Sequence, residues 1–290
     1  MMSNYVIFTD SACDIPSDML AEWGVQKCDL TYSFAGEDKE CREKDMAAAD
    51  FYQKMRDGGV AKTSAINIKT FTDAFEEYVK AGTDILYLGF SSGLSTTFNS
   101  GRMAMEDLKS RYPERKLLAV DSLAAAAGFG LLLYLTVKQQ QAGASIEEAA
   151  AYAENTRLHL CHWFTVDDLV YLKRGGRISP TVAFVGNVLG IKPILHVDND
   201  GHLINMGKVR GRRSAIKAMA DKFGELAEGA PAENTIFIGQ ADCMADAELL
   251  GDMLEKQYGA KVEKILNIGN VIGAHSGPGT LALFFLGKER

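Results

Sequence analysis

Five hydroxyl side chains fall within Ser91-Ser92-Gly93-Leu94-Ser95-Thr96-Thr97, between an apolar run at 84–89 and an amphipathic run at 98–112. A strand feeding a helix here leaves the first helical N–H groups unpaired beside a partial positive charge, so the turn is suited to a carboxylate or phosphate without a lysine. Ser and Thr are also ordinary helix caps, and the stretch alone does not separate the two roles. A second hydroxyl pair, Thr63-Ser64, precedes a helix expected from Thr70 and reads the same two ways. A histidine and a further serine lie in Ala274-His275-Ser276-Gly277-Pro278-Gly279, a glycine/proline loop of the kind that fixes polar groups in a site. The candidate ligand-binding residues are thus Thr63, Ser64, Ser92, Ser95, Thr96, His275 and Ser276.

Gly89-Phe90-Ser91-Ser92-Gly93 also fits the G-x-S-x-G nucleophile elbow. With Asp121 and then His275, the order Ser, Asp, His is that of an α/β-hydrolase. A serine hydrolase with a Ser91 nucleophile is therefore the alternative reading. Against it, the hydroxyls that follow Ser91 suit multidentate anion binding, and no H-G-G-G segment precedes the strand to build an oxyanion hole. No G-x-G-x-x-G, G-x-x-x-x-G-K-[ST] or metal-spaced carboxylate cluster occurs, which removes the usual warrants for dinucleotide, ATP or Mg²⁺. His159 and His162 lack a second pair of metal ligands, and His196 and His202, flanking a turn, are expected at the surface. No catalytic residue, metal ligand or cofactor is assigned.

The elements that must position these residues are legible from periodicity. Strands are expected at 5–8, 84–89 and 116–120, each followed by a helix, at 16–23, 98–112 and 122–141, which implies a parallel sheet with crossovers. Residues 28–34 and the turn at 36–39 read as a strand projecting from that sheet, a small hairpin insertion near 28–45. From about 159 the pattern changes to a hairpin over 191–209 around Asp198-Asn199-Asp200-Gly201, a helix at 214–226, and strands and a helix to 285. The fold class is α/β: an N-terminal parallel-sheet α/β domain over 1–158 and a C-terminal α+β domain over 159–290, with a cleft between them.

A chain of 290 residues fills two modest cores, and 47% hydrophobic with 24% charged residues is ordinary for a folded globular protein. A net charge of -7 argues against nucleic acid and anionic membrane as partners. The start, Met1-Met2-Ser3-Asn4, has no positive leader segment, and no apolar run approaches a membrane span. Five widely spaced cysteines without a C-x-x-C pair fit reduced thiols and a cytoplasmic setting. Within this acidic chain, Lys173-Arg174-Gly175-Gly176-Arg177 and Lys208-Val209-Arg210-Gly211-Arg212-Arg213 are dense in cations, either solvated loops or a docking patch for an acidic partner.

Taken in order, these segments resemble the DegV family nearly end to end. The resemblance covers Thr9-Asp10-Ser11 with Asp14, Thr63-Ser64, Ser91 to Thr97, Val120-Asp121-Ser122, Phe164 with Asp167-Asp168-Leu169, and Tyr171 to Ser179. It continues through Lys192-Pro193-Ile194-Leu195, Gly207 to Arg212, and His275-Ser276-Gly277-Pro278-Gly279. It implies a non-catalytic, fatty-acid-binding subunit of a bacterial fatty acid kinase, with a long-chain fatty acid between the two domains and no cofactor of its own. Thr63 and Ser95 are then direct partners of the carboxylate, with His275 close by through water, and Arg174 helps to dock the ATP-dependent kinase subunit that makes the acyl phosphate. Three departures make the pocket locally different: Ala65-Ile66-Asn67 replaces the family's glutamine-proline-serine, Thr96 stands for a glycine, and Ala126 for a serine.

Overall fold

The computed structural model of the chain describes residues 5–178 and 190–290. Residues 1–4, where the absence of a leader was read, and Ser179, which closes the Tyr171 segment, lie outside the described residues. Four strands, β1 (Tyr5–Asp10), β2 (Gln26–Cys28), β5 (Asp84–Gly89) and β6 (Leu117–Asp121), form an all-parallel sheet in the order β2-β1-β5-β6. Ile85, Leu86, Tyr87 and Leu88 are all fully buried, as a parallel strand covered on both faces must be. The helices α1 (Ser17–Glu22), α3 (Ile68–Lys80), α4 (Thr97–Arg111) and α6 (Ile146–Thr156) accompany this sheet. α6 starts at a capping box, in which Ser145 and Glu148 satisfy each other's backbone N–H groups.

Between β2 and β5 the chain builds a small unit of its own. β3 (Thr31–Phe34) pairs antiparallel with β4 (Ala61–Ser64), and α2 (Ala48–Arg56) lies between them in sequence. Tyr32, Phe34, Phe51 and Tyr52 fill its core through edge-to-face and tilted ring contacts. Inside 28–45 the pairing is a bridge between Tyr32 and Cys41, so the projection expected there continues to residue 64.

The remaining strands are β7 (Leu160–Thr165), β8 (Ile191–Val197), β9 (Leu203–Arg210), β10 (Ile236–Gln240), β11 (Val262–Asn267) and β12 (Leu281–Leu286). They form one mixed sheet, β11-β10-β12-β7-β8-β9, with β10 and β11 parallel and the other pairs antiparallel. Strand alternation divides its side chains between two cores. Trp163, Leu281, Leu283 and Phe285 pack with residues of α8 (Arg212–Leu226) and α9 (Met244–Tyr258). Phe164, Ala282 and Phe284 point the other way, into a core that also holds Leu86 of the first sheet.

α5 (Ala126–Gln141) explains how the two sheets share that core. It is buried from Ala126 through Leu133 on every side, which is why its sequence shows no polar face. A Cβ on Gly128 would lie 2.5 Å from His162 and Phe284, and one on Gly130 would lie 2.6 Å from the Cys13 carbonyl, so both glycines permit close approach. The helix expected from residue 122 begins at 126. Its first turn is lost because Leu123 N–H donates to Asp121 and Ala124 N–H to Ser122 Oγ, offering the backbone a turn in place of a helix. Two short helices complete the described residues, α7 (Val170–Arg174) and α10 (Asn270–Ser276).

Candidate functional site

A cavity of about 460 Å³ lies between the two sheets, within the range of small-molecule sites. One end is polar. The turn after β5 is held from beneath by Asp10, whose carboxylate accepts from Phe90 N–H (2.9 Å), the Tyr87 hydroxyl (3.0 Å) and Ala12 N–H (3.2 Å). Burial pushes that carboxyl up to about 6 despite these three donors. Asp121 holds the same turn through Ser92 N–H at 3.2 Å. Ser91 N–H donates to Ala124 O, while Leu94 and Ser95 N–H both donate to Ser91 O. These four amides before α4 are therefore taken up by protein acceptors, while Ser92, Ser95 and Thr96 line the cavity.

Ser95 Oγ lines the cavity, lies 2.9 Å from Thr97 Oγ1 and accepts from Thr97 N–H. Opposite it, Thr63 on β4 also lines the cavity and lies 2.8 Å from His275 Nε2. Ser64 is corrected: as the next residue of a strand it points to the other face, where its hydroxyl donates to Glu40, and it does not line the cavity. His275 is corrected in its setting. It sits in the last turn of α10 and not in the glycine/proline loop, which begins two residues later. Its contact with Thr63 is direct. Burial first and the nearby Arg177 charge second push the imidazole down to about 4, so the ring is neutral near pH 7. Ser92 and Thr96 line the exposed side of the cavity, and Ser276, 5% exposed, lines its interior.

Arg177 is the functional candidate that sequence reasoning missed. It was grouped with the docking patch, yet it is half-buried and lines the cavity, with Nε donating to Leu94 O at 3.1 Å and Nη1 to Gly175 O. Burial pulls the guanidinium below its ordinary value. Gly175 is packed so closely on His275 that a Cβ there would lie 2.2 Å from Nδ1. The available signal was that pair of glycines, which lets the chain turn in against another element. Arg174, by contrast, is exposed, with its guanidinium 5.8 Å over the Tyr171 ring.

The other end of the cavity is a sheet face. Phe164 and Ala282 are cross-strand partners, as are Val197 and Leu203, and all four line it with Phe284. His162 lies among them, buried, its Nδ1 on Leu160 O at 3.0 Å, and burial holds it well below the ordinary histidine value. His196, expected at the surface, is 5% exposed: it stacks on Trp163 at 4.5 Å and bonds to His162 O. Its side chain alternates inward because β8 extends to Val197 and carries the residue into the sheet. His202 is exposed as expected.

The hydrolase reading does not fit this geometry. Ser91 is fully buried outside the cavity lining, its Oγ donates to Gly201 O at 2.9 Å, His275 is bonded to Thr63, and Asp121 is bonded to backbone amides. A nucleophile needs its base within hydrogen-bonding reach and its oxygen open to substrate. The second basic segment is partly neutralised: Arg212 pairs with Asp246 at 2.8 Å, while Lys208, Arg210 and Arg213 are exposed. Among the described residues, no helix is long and apolar enough to cross a membrane.

The two sheets thus enclose a mainly apolar cavity with one hydroxyl-rich end. The family model described as "Uncharacterised protein, DegV family" matches residues 4–288, and the chain belongs to the DegV family. A DegV domain-containing protein of Clostridium perfringens is 44% identical over 292 residues, covering 100% of this chain and 99% of the relative. Among solved structures, a fatty-acid-binding DegV family protein from Thermus thermophilus is 27% identical with a TM-score of 0.88, covering 98% of this chain and 99% of that one. A stearic acid-binding protein from Eubacterium ventriosum is 25% identical with a TM-score of 0.87, covering 98% of both chains.

Proposed function

We propose that this chain binds a long-chain fatty acid in the cavity and presents its carboxylate to a separate kinase subunit. The observation that carries the reading is the pairing, in one cavity, of an apolar sheet face with the Thr63, Ser95, His275 and Arg177 cluster. About fifteen methylenes at roughly 0.8 kcal/mol each offer on the order of 12 kcal/mol before ordering costs, so affinity comes from the tail. Selectivity for a carboxylate comes from the head. If His275 Nε2–H donates to Thr63 Oγ1 and the Thr97 hydroxyl donates to Ser95 Oγ, both site hydroxyls keep their protons for the ligand. An anion favours that arrangement, and Arg177 adds the charge that hydroxyls lack.

In this reading the chain needs no cofactor, and catalysis belongs to the partner. A carboxylate oxygen attacks the γ-phosphorus of ATP held by the kinase, ADP leaves, and the product is an acyl phosphate still buried by its tail. The exposed Ser92 and Thr96 place the polar end at the surface, and Arg174 stands next to Gly175, which packs on His275. That proximity supports Arg174 as a docking residue for the kinase. Five unpaired cysteines, four of them buried, fit a reducing cytoplasm. Native mass spectrometry of the purified protein, beside a denatured and extracted control, tests the reading. A stoichiometric mass excess released as a fatty acid supports it; failure to bind any C14 to C18 fatty acid after delipidation and titration overturns it.

A further inference from the structure

The G-x-S-x-G segment is engaged by a distant part of the chain. The turn that joins β8 to β9, Asp198-Asn199-Asp200-Gly201, packs directly on it. Ser91 Oγ donates to Gly201 O at 2.9 Å and accepts from Gly93 N–H at 3.2 Å. A Cβ on Gly93 would lie 2.8 Å from Asp200 O and 3.0 Å from Gly201 O. One on Gly201, whose φ is 79°, would lie 2.2 Å from Ser91 Oγ, so the fit requires both glycines. The main chain of the same serine faces the head-group site: Ser91 O accepts from Leu94 N–H and Ser95 N–H, both at 3.1 Å. Ser91 is fully buried and outside the cavity lining. It therefore joins the backbone that carries the Ser95 hydroxyl to the turn whose flanking cross-strand partners, Val197 and Leu203, belong to the apolar wall.

We propose that Ser91 is a positioning residue that fixes the β8–β9 turn on the head-group turn, so that the wall at Val197 and Leu203 is held in register with the hydroxyl of Ser95. The inference rests on the fatty acid reading above. β8 pairs with β9 from Ile191 opposite Arg210 to Val197 opposite Leu203. Against β7, among the described residues, it pairs at His196 with Trp163 and at Leu195 with Phe164. The turn lies beyond that short ladder and is held from outside it. Ser91 supplies one hold and Arg290 another, with Nη1 donating to Asp198 O at 2.9 Å and to Leu123 O at 2.7 Å. Both act on main-chain carbonyls, so they fix where the turn sits whatever side chains it carries. Gly201 is buried, and removing the Ser91 hydroxyl strands its carbonyl without a donor, a cost that the turn relieves by moving toward water. That movement carries Val197 and Leu203 away from the tail. Arg290 remains, so the displacement is partial.

The test combines calorimetric titration of delipidated protein with a saturated C16 fatty acid and amide hydrogen exchange of the ligand-free protein. The proteins are wild type, Ser91→Ala, Gly93→Ala, Leu203→Ala, and each of the first two variants combined with Leu203→Ala. Ser91→Ala weakens C16 binding by about tenfold. Leu203→Ala alone also costs about tenfold, but less than about threefold in the Ser91→Ala background, because the wall it trims has already moved. Gly93→Ala keeps the Ser91 hydroxyl and displaces the turn with its Cβ, and shows the same loss and the same coupling. In both variants the amides of Asp198, Gly201 and His202, which are bonded within the turn, exchange about tenfold faster, while those of β12 exchange as in wild type. The inference is overturned if the Ser91→Ala and Leu203→Ala losses simply multiply, or if the turn amides exchange as in wild type. A fall in Tm with unchanged C16 affinity also overturns it, since that is what a merely structural serine would give. Wild type that binds no C16 acid sinks the fatty acid reading itself, a distinct outcome, and the exchange data still decide whether Ser91 holds the turn.

Discussion

At the polar end of the cavity four side chains arrive from four separate elements, β4, the turn before α4, the segment after α7, and α10, and each is held by a named bond. At the apolar end the wall is one continuous sheet face, where cross-strand neighbours such as Phe164 with Ala282 and Val197 with Leu203 stand side by side without polar contacts to each other. The first end is specified atom by atom and the second by pattern. An error of one bond should therefore be felt as lost selectivity at the head, and an error of volume as lost capacity along the tail.

The largest expected effect comes from filling the wall. Ala282→Phe places a ring where the tail must run, beside Phe164 on β7. Binding of C16 and C18 acids should fall by about a hundredfold or more, with shorter acids less affected, since each lost methylene contact removes roughly 0.8 kcal/mol. Overpacking costs about 1 to 3 kcal/mol of stability, so the fold should survive. A chain-length series by calorimetry checks this; uniform loss across C8 to C18 would break the distinction between a tail wall and a head site.

Next come the head-group hydroxyls. Thr63→Ala and Ser95→Ala each remove one hydrogen bond to a charged group, worth about 1.5 to 3 kcal/mol, and should weaken fatty acid binding by about tenfold to a hundredfold. Binding of the matching primary alcohol should change far less, because it lacks the anion. Unchanged acid binding in both variants would remove the head-group assignment.

How legible each end was in the sequence follows the same division. Thr63, Ser95 and His275, which line one cavity, were legible as candidates because hydroxyls beside an expected helix start and a histidine among glycines are local signals. Ser64 was included wrongly because a residue pair carries no sign of which member faces inward until the strand's orientation is known. Arg177 was missed because its role depends on Gly175 packing against a residue a hundred positions away, and a run of cations reads first as surface. The strands and helices that were expected lie close to their observed bounds, helped by clean apolar periodicity at 84–89 and 281–285, whereas α2, β4 and α6 were not expected. The wall was not legible. Which face of β7, β8 and β12 meets the cavity is decided by α5, α8 and α9 competing for the two faces, a tertiary choice that alternation alone leaves open.

A smaller effect distinguishes two histidines that titrate alike. His196 in the sheet and His275 in the head are both pushed down to about 4 by burial. A base lowered in the folded state holds fewer protons there than when unfolded, so its contribution is intact above the ordinary histidine range near 6.5 and is lost as pH falls toward 4. Each should cost on the order of 2 kcal/mol at pH 5 in ligand-free protein. His196→Gln and His275→Gln should both flatten the acid-side fall in Tm, but only His275→Gln should also weaken fatty acid binding at pH 7. Loss of binding in both would mean that the sheet and the head are not energetically separate.

The smallest effect on binding, and the sharpest on function, is expected at Arg174. Its guanidinium is exposed over Tyr171, three residues from Arg177, which lies in the cavity. Two cations this close in sequence have different surroundings because Gly175 and Gly176 turn the chain between them. Arg174→Ala should leave the fatty acid Kd within about twofold, as surface substitutions do. Acyl phosphate formation with the kinase subunit and ATP should fall at least tenfold, and the loss should shrink as kinase concentration rises if docking is what was weakened. Arg177→Ala should instead lower affinity for the acid itself. Equal loss of ligand binding in the two variants would merge the docking and head-group roles into one.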